Sequence, residues 1–269
     1  MTGGRISQNS GAGRGLLQDG TRSRPALGLS TTGLTIGGRL RDISITLQPG
    51  RITAICGPNG AGKSTLLSAL AGLIGADEGA VQLAGEPLAT IAPRRRAQAV
   101  GYLPQSGEVA WDVSVANLVA LGRLPHRDAG ARAIASAIAA TGLEALRDRP
   151  TSTLSGGEKA RALLARVLAG EPDWILADEP LAALDLAHQR DVLGVLRRAA
   201  DDGVGVALVV HDLAIAMNHA DHVLVLDRGT LAAEGPPETA LDTAIIERVW
   251  GVATRWAGEP NARALVPIV

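Results

Sequence analysis

The stretch that decides the fold is ICGPNGAGKSTLL, residues 55–67. It carries the spacing G-x-x-x-x-G-K-[ST] between the apolar run RITAIC and the apolar start of a helix. A glycine-rich turn in that position directs several backbone N–H groups toward one anion, and the helix N-terminus adds partial positive charge. The pattern therefore predicts a phosphate-binding loop made of Gly57, Pro58, Asn59, Gly60, Ala61, Gly62, Lys63, Ser64 and Thr65.

Three side chains of this loop carry distinct expectations. Lys63 would reach the β- and γ-phosphates of a nucleotide, Ser64 would place its hydroxyl on Mg²⁺, and Thr65 would support the nearby phosphates. The alternative is a glycine turn that binds nothing. The apolar segments on both sides favour the nucleotide, because they provide the strand and the helix that such a loop needs.

A second motif, DWILADEP at residues 173–180, ends an apolar strand with two adjacent carboxylates. Open α/β sheets bind ligands at the carboxyl ends of their strands. Asp178 suits the Mg²⁺ site, and Glu179 can polarise the water that attacks the γ-phosphate. An acidic pair alone would equally begin a solvated loop. Behind a complete phosphate loop it predicts an Mg²⁺-nucleotide site, which many nucleoside triphosphatases share.

A third motif, LSGGEKARALLARVLAG at residues 154–170, limits which class of nucleoside triphosphatase the chain can be. Ser155 and Glu158 have the spacing of a capping box at a helix start. A well-capped helix does not explain Gly156 and Gly157, which follow the serine directly. Ser-Gly-Gly at a helix start makes a second anion-binding surface, and one nucleotide hardly needs two such surfaces from one subunit.

Composition limits the class of protein. The 269 residues are 46% apolar and 20% charged, with a formal charge of −1, so no basic field marks the chain for nucleic acid. No apolar run approaches 18 residues, and the N-terminus lacks the apolar centre of a signal peptide. We therefore expect a chain that does not span a membrane by itself. Cys56, the single cysteine, is expected to be a small core residue in a reducing compartment.

The apolar runs predict an α/β fold: a nucleoside-triphosphatase core with a mainly parallel sheet and an antiparallel β part near the N-terminus. Core strands are expected in RITAIC, VGYLP, DWILAD, VGVALVVH and HVLVLD, and RDISITL is expected to be an early antiparallel strand. Helical spacing without strong strands over about 106–153 predicts an inserted helical subdomain. We expect a disordered tail over 1–25, a single domain over 26–255 and a C-terminal tail over 256–269.

From about residue 29 to 252 the chain resembles the ATP-binding cassette (ABC) family, on six motifs in the family's order. They are the phosphate loop GPNGAGKST, YLPQ with the switch glutamine Gln105, the signature LSGGE, ILADEP, AALD ending in Asp185, and VVHD with the switch histidine His211. The resemblance implies ATP and Mg²⁺ as ligands, with Glu179, His211 and Gln105 as catalytic residues and Ser64, Gln105 and Asp178 around the metal. It also implies two copies that sandwich two ATP molecules, each held by the phosphate loop of one chain and by Ser155, Gly156, Gly157 and Glu158 of the other, with Asp185 at the junction.

The segment VSVANLVALGRLPHR resembles the branch that powers importers of ferric siderophores, haem and vitamin B12, particularly at Gly122, Arg123, Leu124, Pro125 and His126. LDLAHQ indicates the same branch more weakly. This resemblance implies a homodimer peripheral on the cytoplasmic face of the inner membrane, two transmembrane permease subunits, an external substrate-binding protein and no nucleic acid. We expect the permease surface on the inserted helices, with Arg123 or His126 near its edge. The alternative is that both cations end a helix.

Two positions depart from the family. No aromatic residue precedes Tyr102, so nothing in GLTIGGRL can stack on adenine, and Ile36 is the best candidate packing group. Leu181 stands where the family often has a small hydroxyl residue. Two other functions remain open: a soluble ABC ATPase acting in translation or DNA repair, and a phosphotransferase or nucleotide-dependent switch with the same loop. The remaining histidines, His188, His219 and His222, have no spacing that predicts a metal site.

Overall fold

The computed structural model describes residues 28–105, 112–182 and 184–268. The tail expected over 1–25 lies outside the described residues. So do positions 106–111 of the predicted helical subdomain and Ala183 of the AALD motif.

Twelve strands lie in three sheets of the described ranges. They are β1 Leu29–Ile36, β2 Leu40–Leu47, β3 Ile52–Cys56, β4 Glu78–Leu83, β5 Glu86–Pro87, β6 Val100–Leu103, β7 Trp174–Asp178, β8 Gly205–Val209, β9 His222–Asp227, β10 Thr230–Gly235, β11 Thr254–Ala257 and β12 Ala264–Pro267.

Nine α-helices accompany them in the same ranges, with three short 3₁₀ helices. The α-helices are α1 Lys63–Leu70, α2 Pro93–Ala99, α3 Val115–Ala120, α4 Ala131–Ala140, α5 Gly156–Ala169, α6 Leu186–Asp201, α7 Leu213–His219, α8 Pro237–Ala240 and α9 Thr243–Trp250; the 3₁₀ helices are Leu121–Arg123, Glu144–Leu146 and Thr151–Thr153.

The largest sheet has six strands in the order β10-β9-β3-β8-β7-β6, and all neighbouring pairs except β9 with β10 are parallel. Every residue of β3, β7 and β8 is buried, which explains their nearly continuous apolar sequences. The antiparallel part is the sheet β2-β1-β4-β5, where RDISITL pairs with β1. The predicted α/β class with a mainly parallel core is confirmed.

Alternate residues of the central strands face two hydrophobic clusters. In β8, Val206 and Leu208 join the cluster formed with α3 to α7, whereas Ala207 and Val209 join the cluster formed with α1 and the antiparallel sheet. The inserted helices share the first cluster through Val115 and Leu118. The insert is therefore packed directly on one face of the sheet. Cys56, fully buried in that cluster, is confirmed as a core residue, and burial raises the pKa of its thiol to about 12.

The residues after 255, expected to form a tail, contribute to an antiparallel hairpin of β11 and β12. The indole Nε1 of Trp256 donates to the carbonyl of Leu241 at 2.9 Å, and Asn218 is hydrogen-bonded to the backbone of Arg263 in both directions. These contacts fix the hairpin against the domain. In the described part of the chain, no helix combines the length and hydrophobicity that crossing a membrane requires.

Candidate active site

The phosphate loop connects β3 to α1 at the carboxyl edge of the large sheet. Its turn depends on left-handed backbone at Gly60 and Gly62, with φ of 79° and 101°. A Cβ at Gly62 would lie 2.8 Å from the carbonyl oxygen of Arg39, so the turn between β1 and β2 packs directly on the loop. Only glycine allows this close approach, which explains why the spacing in the sequence is strict.

Lys63, the first residue of α1, is buried, and its ammonium donates to the carbonyl oxygens of Gly57 at 2.8 Å and Pro58 at 3.0 Å. Burial lowers the pKa of Lys63, and the negative charge of Glu179 is the largest opposing influence. The cation is thus held inside the loop by two of the loop's own carbonyl oxygens.

Ser64 and Asp178 meet beneath the loop, where the serine hydroxyl donates to the carboxylate at 3.0 Å. Asp178 is only 5% exposed, and burial raises its pKa. Hydroxyl and carboxylate oxygens are ligands that Mg²⁺ accepts, usually one or two from the protein with phosphate oxygens and water completing the octahedron. Within 28–105, 112–182 and 184–268, no group of three or more His, Cys, Asp or Glu side chains is placed to hold a metal. One hydroxyl and one carboxylate fit an Mg²⁺ whose remaining ligands are phosphate oxygens and water.

Glu179 lies immediately after β7 and accepts hydrogen bonds on both carboxylate oxygens. Nε2 of Gln105 lies 2.7 Å from Oε2, and Nε2 of His211 lies 2.6 Å from Oε1. Because an ionised carboxylate only accepts, the imidazole donates in this pair. The backbone of Glu179 has a φ of 49°, a left-handed conformation that side chains other than glycine seldom adopt. Such strain often marks a functional position.

These groups surround a cavity of about 300 Å³. The residues that line it are Arg39, Asn59, Gly60, Ala61, Gly62, Lys63, Ser64, Thr65, Glu179 and His211. The signature residues and Asp185 are absent from this lining. The sequence motifs thus form one site that contains the phosphate loop and the carboxylates, and a separate surface that contains the signature.

The signature begins α5. The hydroxyl of Ser155 accepts from the backbone N–H of Glu158 at 3.3 Å, and the Glu158 carboxylate accepts from the backbone N–H of Ser155 at 2.7 Å. This is the capping box that the sequence predicts. Ser155 and Gly156 are exposed, whereas Gly157 is buried. Asp185 caps α6 by accepting from the backbone N–H of His188.

Ile36, the residue expected to pack on the base, is not among the residues that line this cavity. Ile36 is partly buried against the core, and Arg39, three residues later, lines the cavity. Arg39 was not predicted from the sequence, because a basic residue in an exposed turn carries no motif that would mark it as a binding residue. Leu181, the other departure from the family, is 6% exposed in the hydrophobic core, so its position is explained by packing.

Arg123 and His126, expected near the edge of a permease surface or at a helix end, both contact the end of a helix. The Arg123 side chain is 8% exposed, and it forms ion pairs with Asp128 at 2.5 Å and Glu171 at 2.7 Å. It also donates to the carbonyl of Ala169 at 3.0 Å, while the His126 ring lies 2.9 Å from the carbonyl of Gly170. Both side chains meet the C-terminal end of α5. The alternative, that both side chains lie at a helix end, agrees with these contacts. The helix that Arg123 and His126 contact is α5, which is distant from them in the sequence.

The chain matches known proteins over most of its length. A family model described as ABC transporter matches residues 40–182. The hemin import ATP-binding protein HmuV of Rhodococcus jostii is 42% identical over 225 residues, which cover 81% of this chain and 77% of the relative. HmuV of Burkholderia thailandensis is 44% identical over 255 residues, which cover 85% of this chain and 94% of the relative.

A solved structure gives the same result at the level of the fold. A transporter described as being of the metal-chelate ABC type, in an inward-facing conformation, aligns with a TM-score of 0.78 and 26% identity. The alignment covers 91% of this chain and 98% of that chain.

Proposed function

The chain belongs to the ABC transporter family, whose ATP-binding subunits hydrolyse ATP, and we propose that it drives the import of a metal chelate with haem as the first candidate. The hydrolytic part rests on one observation, the double hydrogen bonding of Glu179 beside the Ser64–Asp178 pair. The cargo part rests on the names of relatives that align over most of their length. Ferric siderophore and cobalamin remain the other cargoes of this proposal.

Binding begins with the phosphate loop. The backbone N–H groups between Gly60 and Thr65, together with the Lys63 ammonium, would receive the β- and γ-phosphate oxygens. Ser64 and Asp178 would hold Mg²⁺, which when bound supplies positive charge against the phosphate oxygens. Asp178 must be ionised for this task. Its burial opposes ionisation, so a cation at this position would offset part of the desolvation cost.

Glu179 would accept the proton of the attacking water. Its carboxylate is a suitable base because it lies at the cavity wall and keeps a fixed orientation between donors that follow two different strands, β6 and β8. Gln105 precedes the inserted helical region in the sequence, and its side chain is hydrogen-bonded to the Glu179 carboxylate. We propose that this path conveys the state of the nucleotide to a permease.

The site also argues for two copies. Each chain would offer one cavity with a phosphate loop and one exposed signature surface at Ser155 and Gly156. The signature residues do not line the cavity of their own chain. Two chains facing head to tail would complete two sites. Pairing with two permease subunits would then place the homodimer at the cytoplasmic face of the membrane, and an external binding protein would deliver the chelate.

Reconstitution with the cognate permease tests this proposal. Vesicles containing the complete transporter should take up haem from a haem-loaded binding protein when supplied with ATP, and haem delivery should raise phosphate release. Matched vesicles with Glu179→Gln should transport nothing. Ferric siderophore and cobalamin on their own binding proteins are the comparison arms. Stimulation only by a sugar, an amino acid or an exported lipid would overturn the metal-chelate assignment, and a phosphorylated acceptor formed without transport would overturn the ATPase assignment.

A further inference from the structure

The imidazole of His188 lies directly on the signature loop of its own chain. A Cβ built at Gly157 would lie 2.5 Å from Cγ of His188 and 2.7 Å from Nε2, distances that no real Cβ keeps. Gly157 is in the first turn of α5 and lacks the positive φ that favours glycine. The ring of His188, rather than the backbone conformation, is therefore what excludes a side chain at position 157.

The same imidazole is anchored at its other edge. Nδ1 lies 2.8 Å from Oδ1 of Asp185, and that oxygen also accepts from the backbone N–H of His188 at 2.9 Å. Since the carboxylate can only accept, Nδ1–H is the donor. Asp185 thus caps α6 and orients the ring with one oxygen. Two bonds to a single atom leave His188 little freedom to leave Gly157.

The three residues form a continuous contact from Asp185 through His188 to Gly157. The ends of this contact are the two segments that the cavity of the same chain does not include. The Asp185 side chain is 66% exposed, and Ser155 and Gly156 beside Gly157 are exposed as well. Both segments therefore face outward from a common support, and His188, with a side chain 30% exposed, lies between them.

We propose that His188 is a positioning residue that fixes the signature loop at Ser155–Gly157 relative to Asp185, so that both meet a facing subunit as one rigid surface. The inference rests on the proposed function, in which a second copy supplies the nucleotide for this surface. His188 is not among the residues that line the phosphate-loop cavity, and its described contacts are with Gly157 and Asp185, so it acts through them. Its loss weakens the closed pair of subunits and leaves nucleotide binding to the separate chain unchanged.

The experiment uses the full chain carrying Glu179→Gln, in which ATP is retained. We measure the ATP-dependent monomer–dimer equilibrium by analytical ultracentrifugation and, at concentrations where the chain is monomeric, the affinity for ATP. Adding His188→Ala should raise the dimer dissociation constant about tenfold, the size expected for coupled neighbours, with ATP affinity of the monomer within about twofold. His222→Ala, a histidine outside this contact, is the matched control and should change neither value.

Further variants separate the role of the ring from general damage to the fold. His188→Asn keeps a donor for Asp185 but removes the ring from Gly157, so it should restore only part of the dimer affinity. Gly157→Ala should weaken the dimer less in the His188→Ala background than in a chain that retains His188, because the added methyl group then no longer meets the ring. This comparison remains informative even if His188→Ala lowers the thermal stability of the chain.

The possible results are distinguishable. A parent chain that dimerises with ATP, together with a His188→Ala variant of equal dimer affinity, overturns the positioning role and leaves the proposed function intact. Equal damage from Gly157→Ala with and without His188 also overturns it. A parent chain that stays monomeric with saturating ATP and Mg²⁺ contradicts the two-copy function itself, and the role of His188 is then rejected with it.

Discussion

Nε2 of His211 lies 2.6 Å from Oε1 of Glu179, and this bond joins the residues that follow two adjacent strands. The other carboxylate oxygen of Glu179 accepts from Gln105, which follows the strand on the opposite side of β7. The Glu179 carboxylate is therefore held between residues that follow the two neighbouring strands of the sheet. Its orientation therefore depends on the order of the strands in the sheet.

Replacing Glu179 by Gln should slow ATP hydrolysis by a factor on the order of 10² or more, because an amide cannot take the proton of the attacking water. ATP binding should be retained, since the phosphate loop is unchanged, and trapped dimers should accumulate. Phosphate release and nucleotide binding are measured on the same preparation. Glu144→Gln, at an exposed carboxylate, is the control. Near-wild-type turnover of Glu179→Gln in the assembled transporter would remove Glu179 from the catalytic role.

His211→Ala should lower kcat on the order of 10²-fold, the typical loss when a reacting group is displaced by about 1 Å, with little change in ATP affinity. In the Glu179→Gln background the same change should add little, because both residues serve one step. Steady-state kinetics of the wild type, the two single variants and the double variant measure this coupling. Multiplicative losses in the double variant would mean that His211 acts independently of Glu179.

Asp178→Asn should stabilise the chain in the absence of Mg²⁺ and nucleotide, because it removes a buried charge while keeping an acceptor for Ser64. The sign follows from the pKa of Asp178, which burial raises. A raised pKa means that the folded state favours the protonated acid. In the wild type, the stability that protonated Asp178 contributes is therefore present below the usual Asp pKa and is lost as pH rises through the folded-state pKa. The melting temperature of Asp178→Asn should thus exceed that of wild type more at pH 7 than at pH 4. A constant difference across this range would contradict the assignment.

Arg123→Met should lower the free energy of unfolding by about 2 kcal/mol. This is below the 3–5 kcal/mol typical of fully buried ion pairs, because Asp128 and Glu171 are about half exposed and water screens them. Arg95→Met, which breaks an exposed pair with Glu86, should cost less than about 1 kcal/mol. Chemical denaturation measures both values. Equal costs of the two substitutions, with permease affinity lost only in Arg123→Met, would contradict the structural role and favour a role of Arg123 at the permease surface.

Arg39→Ala should weaken binding of ATP and GTP alike, by about two- to fivefold, because a guanidinium near either purine contributes about 0.5–1 kcal/mol at an exposed site. The preference for ATP over GTP should remain below about a hundredfold in wild type, since no aromatic residue precedes the phosphate loop in the sequence to stack on the base. Competition binding on the separate chain measures both quantities. A preference above about a hundredfold, near 2.7 kcal/mol, or a loss of affinity in Ile36→Ala but not in Arg39→Ala, would contradict this assignment.

The local chemistry of this protein can be read from its amino-acid sequence. The glycines around Lys63, the capping box at Ser155 and the acidic pair at Asp178 each lie within a few residues of one another, so spacing alone fixes what their groups can do. Buried parallel strands were equally readable, because residues covered on both faces must be apolar throughout. These features gave the α/β class and the resemblance to the family.

Contacts between residues that are distant in the sequence depend on the fold of the whole chain. Ser64 and Asp178 are 114 positions apart and Gln105 and Glu179 are 74 apart, and the strand order β3-β8-β7-β6 brings them to one edge. Strand order depends on how helices cross over and pack, an energy summed over the whole chain. The same reason explains why Arg39 rather than Ile36 reached the cavity, and why the ring of His188, without any motif of its own, came to rest on Gly157.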